Sequence, residues 1–345
     1  MVIPYYYERT IQNRQQMVAA FMHADSSTPV LVDPLIGSTD DRAGQLSDVT
    51  KASGFGGHTP DDLAEFWMLA GGVPHEQTVH QGEETTLLGD LIVRDSPNLL
   101  GRQAKSDGNF PLQIRVFEVT ERQPLQVCAS PEGRRVGNSL FWFSLSTPGD
   151  ARVAVGIQHR VTRGQFMQSI ESAGLWELLR VFPAPAGDAF FMAPGVVFAA
   201  DRGCVLMEIA HPSVARRTVS SWRAAAEDAA HAIQQIRFAD RAASRIRKDV
   251  QPMDRTRKIP LVNISPDFDV DELRVIDYFF GRTDGSAPHV LCPLGRAVVV
   301  ETSGGSVEAP PMSVCVVPAR GGDYHVKGGG EPAKVLRITP KSVFG

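Results

Sequence analysis

The sequence is poor in the residues that build metal sites and covalent frameworks. Only four cysteines occur in 345 residues, Cys128, Cys204, Cys292 and Cys315, and no two form a C-x-x-C pair. A zinc ribbon or a disulfide framework needs a different spacing, so the four read as free thiols buried in apolar, strand-like runs such as VLCPL and SVCVV. Nine histidines are present, but none falls in an H-E-x-x-H or H-x-H arrangement. No G-x-S-x-G elbow marks a serine hydrolase. The glycine clusters GFGG and Gly328 to Gly330 do not stand between a strand and a helix as a phosphate loop requires.

A dominant charge is also missing. The net charge is −4, so no global field pulls the chain onto DNA or an anionic membrane. The longest near-apolar run, Ala189 to Ala200, is too short to span a bilayer. The N-terminal MVIPYYYERTIQNRQQ lacks the basic segment and apolar stretch of a secretory signal. The expectation is a cytoplasmic protein with neither a membrane nor a nucleic acid as partner. One basic run stands out: Arg237, Arg241, Arg245, Arg247, Lys248, Arg255, Arg257 and Lys258. Without interleaved aromatics it reads as a solvated helix face rather than a nucleic-acid groove.

What is present is the material of a folded β protein. Hydrophobic residues make up 43% and charged residues 21%, enough apolar surface to exclude disorder over most of the chain. A chain of this length calls for two domains or one elongated pair of packed sheets. The 31 glycines and 24 prolines favour many short strands joined by turns. The first 55 or so residues are polar and turn-rich, with PVLVDPLIG as an edge strand. SGFGGH reads as a loop, after which Thr59 caps a helix through T-P-D-D-L-A-E-F-W. Between about 110 and 160, PLQIRVFEV, PLQVCAS, SLFWFSLS and RVAVGIQ alternate with period two, the pattern of antiparallel strands. A helical insert is expected at about 163 to 181, with Phe166, Ile170, Leu175, Leu178 and Leu179 on one face. Strands return in AFFMAPGVVFAA and CVLMEIA. A long helix from Trp222 to Lys248 then presents Trp222, Ala229, Ile233, Ile236 and Phe238 at helical spacing. A second β region follows in LRVIDYFFGR, HVLCPL, RAVVVET, MSVCVVPA, DYHVKG and KVLRITP. Two β regions joined by a helical crossover predict an all-β bicupin, two jelly rolls in one chain with helical insertions.

Several segments resemble the class I mannose-6-phosphate isomerases, zinc-dependent cupins. Phe110-Pro111-Leu112-Gln113-Ile114-Arg115-Val116-Phe117 is similar to the family's F-P-L-L-x-K-I-L strand. Leu125-Gln126-Val127-Cys128 follows where the family has V-Q-V-H. Gly137 to Gly156, with Trp142, matches G-K-T-E-x-W-Y through to the next family glycine. Thr162 to Asp188, which contains SIESAGLWELL, resembles the helical insert ending in P-G-D, and the strand that follows resembles G-D-F-F-x-V-P-S-G-T-V-H-A. Met207-Glu208-Ile209 and Arg216-Arg217 fall near L-E-I/T and T-Y-R, while Val317-Pro318-Ala319, Tyr324 and Gly328 resemble the C-terminal cupin. The likeness covers roughly residues 57 to 340. It implies an unmatched segment at 1–56, a first cupin at 57–214, a helical crossover at 215–262 and a C-terminal cupin at 263–345.

The resemblance also implies a zinc site, held in the family by Gln and His of Q-V-H, Glu of G-K-x-E and His of G-T-V-H. Those positions are Gln126, Cys128, Leu140 and Phe198 here. Three of the four ligands are replaced, two of them by side chains with no lone pair, so no zinc and no other cofactor is expected. The family's lysine of G-K-x-E is Asn138. Glu208 and Arg217 stand where the family has an active-site Glu and Arg, and they are the candidate catalytic residues. Gln126, Asn138 and Arg217 are the candidate substrate-binding residues. A Glu and an Arg so placed also read as a structural ion pair. Three functional readings stay open. The first is a filled barrel acting as a scaffold or pseudoenzyme. The second is a repurposed pocket that binds or converts a small molecule or sugar phosphate without metal. The third is an isomerase interconverting mannose 6-phosphate and fructose 6-phosphate through unorthodox ligands such as Cys128, His159 or His211. An apolar face on the second β region would point to action through a partner or to a homodimer.

Overall fold

The computed structural model describes residues 26–37, 65–72, 77–103, 108–129, 139–146, 151–170, 172–222, 229–238, 245–246, 254–329 and 331–341. The chain forms two compact units: a terminal unit of residues 1–113, 251–264 and 268–345, and a central unit of residues 114–250 and 265–267. Strands β1 (Val30–Val32), β2 (Leu35–Gly37), β3 (Glu65–Leu69), β4 (Thr78–Gln81) and β5 (Glu84–Leu87) precede helix α1 (Leu88–Leu99). The chain enters the central unit through β6 (Gln113–Glu118), β7 (Leu125–Ala129), β8 (Leu140–Ser146) and β9 (Arg152–Ile157). Helix α2 (Arg163–Ser169) comes before β10 (Leu179–Pro183), β11 (Ala189–Met192), β12 (Val197–Ala200), β13 (Val205–Ala210) and β14 (Ala215–Ser220). Helix α3 (Ala229–Gln235) and the short β15 (Arg245–Ile246) close that unit. The chain returns through β16 (Arg257–Val262), β17 (Phe268–Val275), β18 (Tyr278–Arg282), β19 (His289–Pro293) and β20 (Val298–Thr302). It ends with β21 (Gly305–Ala309), β22 (Val314–Val317), β23 (Asp323–Lys327) and β24 (Ala333–Pro340). The expected all-β architecture with helical insertions is what the chain adopts.

In the central unit one antiparallel sheet runs β10-β9-β12-β7-β14, and a second set of strands runs β15-β11-β8-β13-β6. Because alternate residues of a strand point to opposite faces, Cys128, Leu140, Trp142, Val153, Val155, Phe190, Phe198 and Leu206 meet in one interior. The other face of the first sheet carries Leu125, Val127, Ala154, Val197, Ala199 and Val219. It is covered by Phe166, Ile170, Leu175, Ala232 and Ile233 from α2, the 3-10 turn Ala173–Leu178, and α3. Strand β12, buried on both sides, therefore reads as the unbroken apolar run VFAA. The expected insert holds for its first half. Thr162 caps α2 with its hydroxyl, and Gln165 reaches back to the Thr162 backbone, a complete capping box. Leu179 is already extended and opens β10.

Three sequence expectations are corrected. Glu65–Leu69 is a strand paired with β2, not the body of a helix, and Thr59 lies outside the described residues. The long helix from Trp222 to Lys248 is not formed. Trp222 has a φ of 70°, which no helical residue adopts, and α3 stops at Gln235. The Arg237 N–H leaves the helix to donate to the Gly195 carbonyl at 2.9 Å. Arg245 is no solvated helix residue either: it sits in β15 beside β11 and pairs with Asp188, its Nε 2.8 Å from Oδ2. PVLVDPLIG, thirdly, is two strands, and β1 is internal, with β22 on one side and β4 on the other.

The terminal unit places β16-β17-β24-β19-β22-β1-β4-β5 in one sheet and β18-β23-β20-β21 in another. Leu273, Leu291, Cys315 and Val335 from the first meet Val298, Val300, Tyr324 and Val326 from the second. Helix α1 buries Leu88, Leu91, Ile92 and Leu99, and it kinks at Asp95, two residues before Pro97. One end of the interior is polar. Arg337 Nε donates to Asp271 Oδ2 at 3.1 Å and the same guanidinium bonds Tyr324, whose hydroxyl lies 2.8 Å from His289 Nδ1. Among the described residues no helix is long and apolar enough to cross a membrane.

Burial, with help from the Arg337 charge, pulls the His289 pKa down from 6.5 to about 4. The folded state therefore binds fewer protons than the unfolded one between those values, and stability falls as pH drops from about 6.5 toward 4. A shift of this size corresponds to at most about 3 kcal/mol. Urea denaturation across this range is expected to show the loss, and H289Q is expected to flatten it. An unchanged slope in the variant would refute the assignment.

Candidate functional site

The four positions that the resemblance assigns to metal ligands converge, as strand alternation requires. Phe198 of β12 stands opposite Gln126 of β7, and Arg216 of β14 opposite Cys128. Leu140 of β8 lies between Met192 of β11 and Ala210 of β13. Cys128, Leu140 and Phe198 all belong to the same buried cluster, and Gln126 is half-buried at its border. The Phe198 ring meets Trp142 edge-on at 5.2 Å between centroids, and Phe117 flanks the same indole at 6.1 Å. Leu140 and Phe198 supply no lone pair. Burial pushes the Cys128 thiol up to about 12, against the opposing charge of Arg216, so it is a neutral thiol rather than a thiolate.

Glu208 is a carboxylate buried in this interior. It is 1% exposed, on β13, in a run (VLMEIA) that is otherwise wholly apolar and buried. Its Oε1 accepts from Arg115 Nε at 2.7 Å and from the Arg216 guanidinium, and its Oε2 accepts from the Trp142 indole N–H at 2.8 Å. Burial alone would raise its pKa. Arg216, Arg115 and the two hydrogen bonds outweigh that and hold it below the ordinary value of 4.5. Three strands besides its own thus supply partners: β6 gives Arg115, β8 gives Trp142 and β14 gives Arg216.

Arg217, the sequence candidate, stands one residue further along β14, opposite Val127. Val127 packs on the helix-covered face of the sheet, so the strand turns Arg217 away from Glu208 and brings Arg216 to it. Asn138 lies outside the described residues. Of the histidines considered, His211 Nδ1 accepts from the Ser213 backbone N–H at 3.1 Å and lies 2.8 Å from the Ser213 hydroxyl, and His159 sits on an exposed turn. Among the described residues no three His, Cys, Asp or Glu side chains are grouped to hold a metal. All four cysteines are free and buried, as expected.

Sequence reasoning missed Arg115 and Arg216. The signal for both was available. A glutamate in the middle of a buried strand demands a cation, and Arg115 shares the inward register with Phe117. Of two consecutive arginines, only one can face inward.

No family model matches the chain. A curated protein of Bacillus subtilis, described as a "Probable mannose-6-phosphate isomerase", is 26% identical over 152 residues, 42% of this chain and 47% of that protein. The chain is thus matched over about half the length of that relative. The crystal structure of mannose 6-phosphate isomerase from Bacillus subtilis is similar at a TM-score of 0.69 and 15% identity, over 90% of this chain and 99% of that one. The enzyme of Salmonella typhimurium, solved with substrate (f6p) and zinc, is similar at a TM-score of 0.69 and 13% identity, over 90% of this chain and all of that one. By fold across nearly its whole length, and by sequence across part of it, this chain's relatives are the mannose-6-phosphate isomerases of the type I, cupin-fold family.

Proposed function

We propose that the chain is a mannose-6-phosphate isomerase-like cupin protein that works without the family's zinc-dependent isomerisation, as a pseudoenzyme whose central interior is a packed scaffold. The observation that carries this reading is Phe198 seated edge-on against Trp142, with Leu140 and Cys128 in the same cluster. A catalytic zinc takes three protein N, S or O ligands and keeps one position open. Here the four positions offer only the amide of Gln126 and the thiol of Cys128, two donors where three are needed, and the donor set does not fit the ion. Glu208 supports the same reading. Its two oxygens are spent on Arg115, Arg216 and Trp142, which is the arrangement of a structural ion pair rather than of a base facing a substrate.

Zinc content of the purified chain after metal loading, measured by elemental mass spectrometry beside a coupled assay for mannose 6-phosphate isomerisation, tests the proposal. Well below one zinc per chain and no turnover are expected. One equivalent of zinc together with turnover would overturn it.

Glu208 has its own test. E208Q leaves two half-buried guanidiniums, those of Arg115 and Arg216, without their carboxylate and is expected to cost about 3 kcal/mol in chemical denaturation. The folded pKa lies below 4.5, so the ion pair contributes above that pH and its contribution is lost as pH falls through the folded value. A variant as stable as the parent at pH 7 would show that the pair is not structural.

A further inference from the structure

The terminal unit holds an open pocket of about 580 Å³ that includes none of the residues discussed above as ligands or catalysts and is lined by Pro97, Arg102, Arg282, Asp284, Arg320 and several glycines. Three loops build it, and backbone hydrogen bonds lock them together. The loop after β22 donates from Ala319 and Arg320 to the carbonyls of Leu99 and Asn98 at the end of α1, each at 3.0 Å. Gly285, in the turn after β18, donates to the Ala319 carbonyl at 2.7 Å, and Arg102 donates to the Ser286 carbonyl at 3.1 Å. Thr283 and Gly322 close the ring: the Thr283 N–H meets the Gly322 carbonyl at 2.9 Å, and the Gly322 N–H meets the Thr283 hydroxyl at 3.0 Å. Gly101 makes the close approach possible. It has a φ of 61°, and a Cβ there would lie 2.3 Å from the Gly285 carbonyl oxygen.

We propose that this pocket binds the phosphate group of a small molecule through Arg102, Arg282 and Arg320. The charge count favours an anion. Three guanidiniums line the pocket against one carboxylate, Asp284, whose Oδ1 accepts the backbone N–H and the hydroxyl of Ser286, at 2.9 and 2.5 Å, and whose charge is felt by Arg102, which leaves the lining with a positive excess. The end of α1 adds only a fraction of a negative charge, and the loop N–H groups named above satisfy its last carbonyls. Among the described residues Arg282 pairs with Asp323, at 3.6 Å with both side chains about three-quarters exposed, a pairing that a ligand displaces at little cost. The guanidinium fork suits phosphate, offering paired donors to its oxygens. Because backbone bonds fix the backbone around the pocket before a ligand arrives, only the exposed arginine side chains lose freedom on binding. The site is independent of the central interior and of whether that interior holds zinc.

Isothermal titration of the full chain with inorganic phosphate, mannose 6-phosphate and mannose tests this, with R102A and R320A singly and together. These side chains are exposed, so the variants are expected to keep the parent's circular dichroism and melting temperature. Both phosphate ligands are expected to bind and mannose not. Each lost arginine is expected to weaken binding about tenfold, and added salt to weaken it further. Tighter binding of the sugar phosphate than of free phosphate supports an ester as ligand, and equal binding supports the phosphate group alone. No binding of either at millimolar concentration would overturn the proposal, and so would binding that survives the double variant. Mannose 6-phosphate that binds the double variant unchanged would instead point to the central unit and count against the pseudoenzyme reading as well.

Discussion

One buried carboxylate organises the central unit. Between two packed sheets a charged group has no water to turn to, and Glu208 must find its compensation in protein groups alone. It finds two guanidiniums and an indole N–H on three other strands. Meeting them sets the register of β6, β8, β13 and β14 together, since a slip of one residue in any of them would turn its partner to the opposite face. The same register sends Leu140 and Cys128 inward beside Phe198. Polar satisfaction and apolar filling are two results of one alignment.

That alignment separates the fold from the chemistry of the isomerases it resembles. A sandwich needs inward side chains that are compatible in volume, and it is indifferent to whether they carry nitrogen or carbon. A metal needs particular atoms at particular positions. In the reading proposed above, leucine and phenylalanine at the positions that the resemblance gives to ligands leave the sheets intact, with Phe198 finding the edge of Trp142.

Much of the fold was legible because most strands alternate cleanly or, like β12, are apolar throughout. The gathering of Gln126, Cys128, Leu140 and Phe198 was also legible, since the resemblance placed them on strands whose inward positions they share. What was not legible came from interactions that local pattern does not encode. The apolar spacing around Trp222 to Phe238 suits a helix, yet Trp222 takes a positive φ, its backbone N–H bonded to the Ser220 hydroxyl and its indole to the Gln123 carbonyl. Arg245 looks like a surface charge until Asp188 appears opposite it. The choice between Arg216 and Arg217 depends on which residue of β7 stands across from each, and one-residue register is beyond what composition or motif can tell. The arginine pocket was invisible for a related reason: its three cations come from three separate stretches of the chain, the end of β18 among them, and none forms a motif alone.

The internal position of β1 carries a consequence for how the chain is made. Val30 pairs on one side with Gln81 and on the other with Val316. A ribosome delivers β1 and β4 before the central unit and β22 only after it, so the large sheet of the terminal unit stays incomplete while the central unit is being made. The central unit has all its strands between those two events and is free to fold first. Late, long-range closure of this kind is slow and leaves strand edges open while it waits. The chain's vulnerable moment thus falls during its own translation, when β1 has one neighbour in place and the other still unsynthesised.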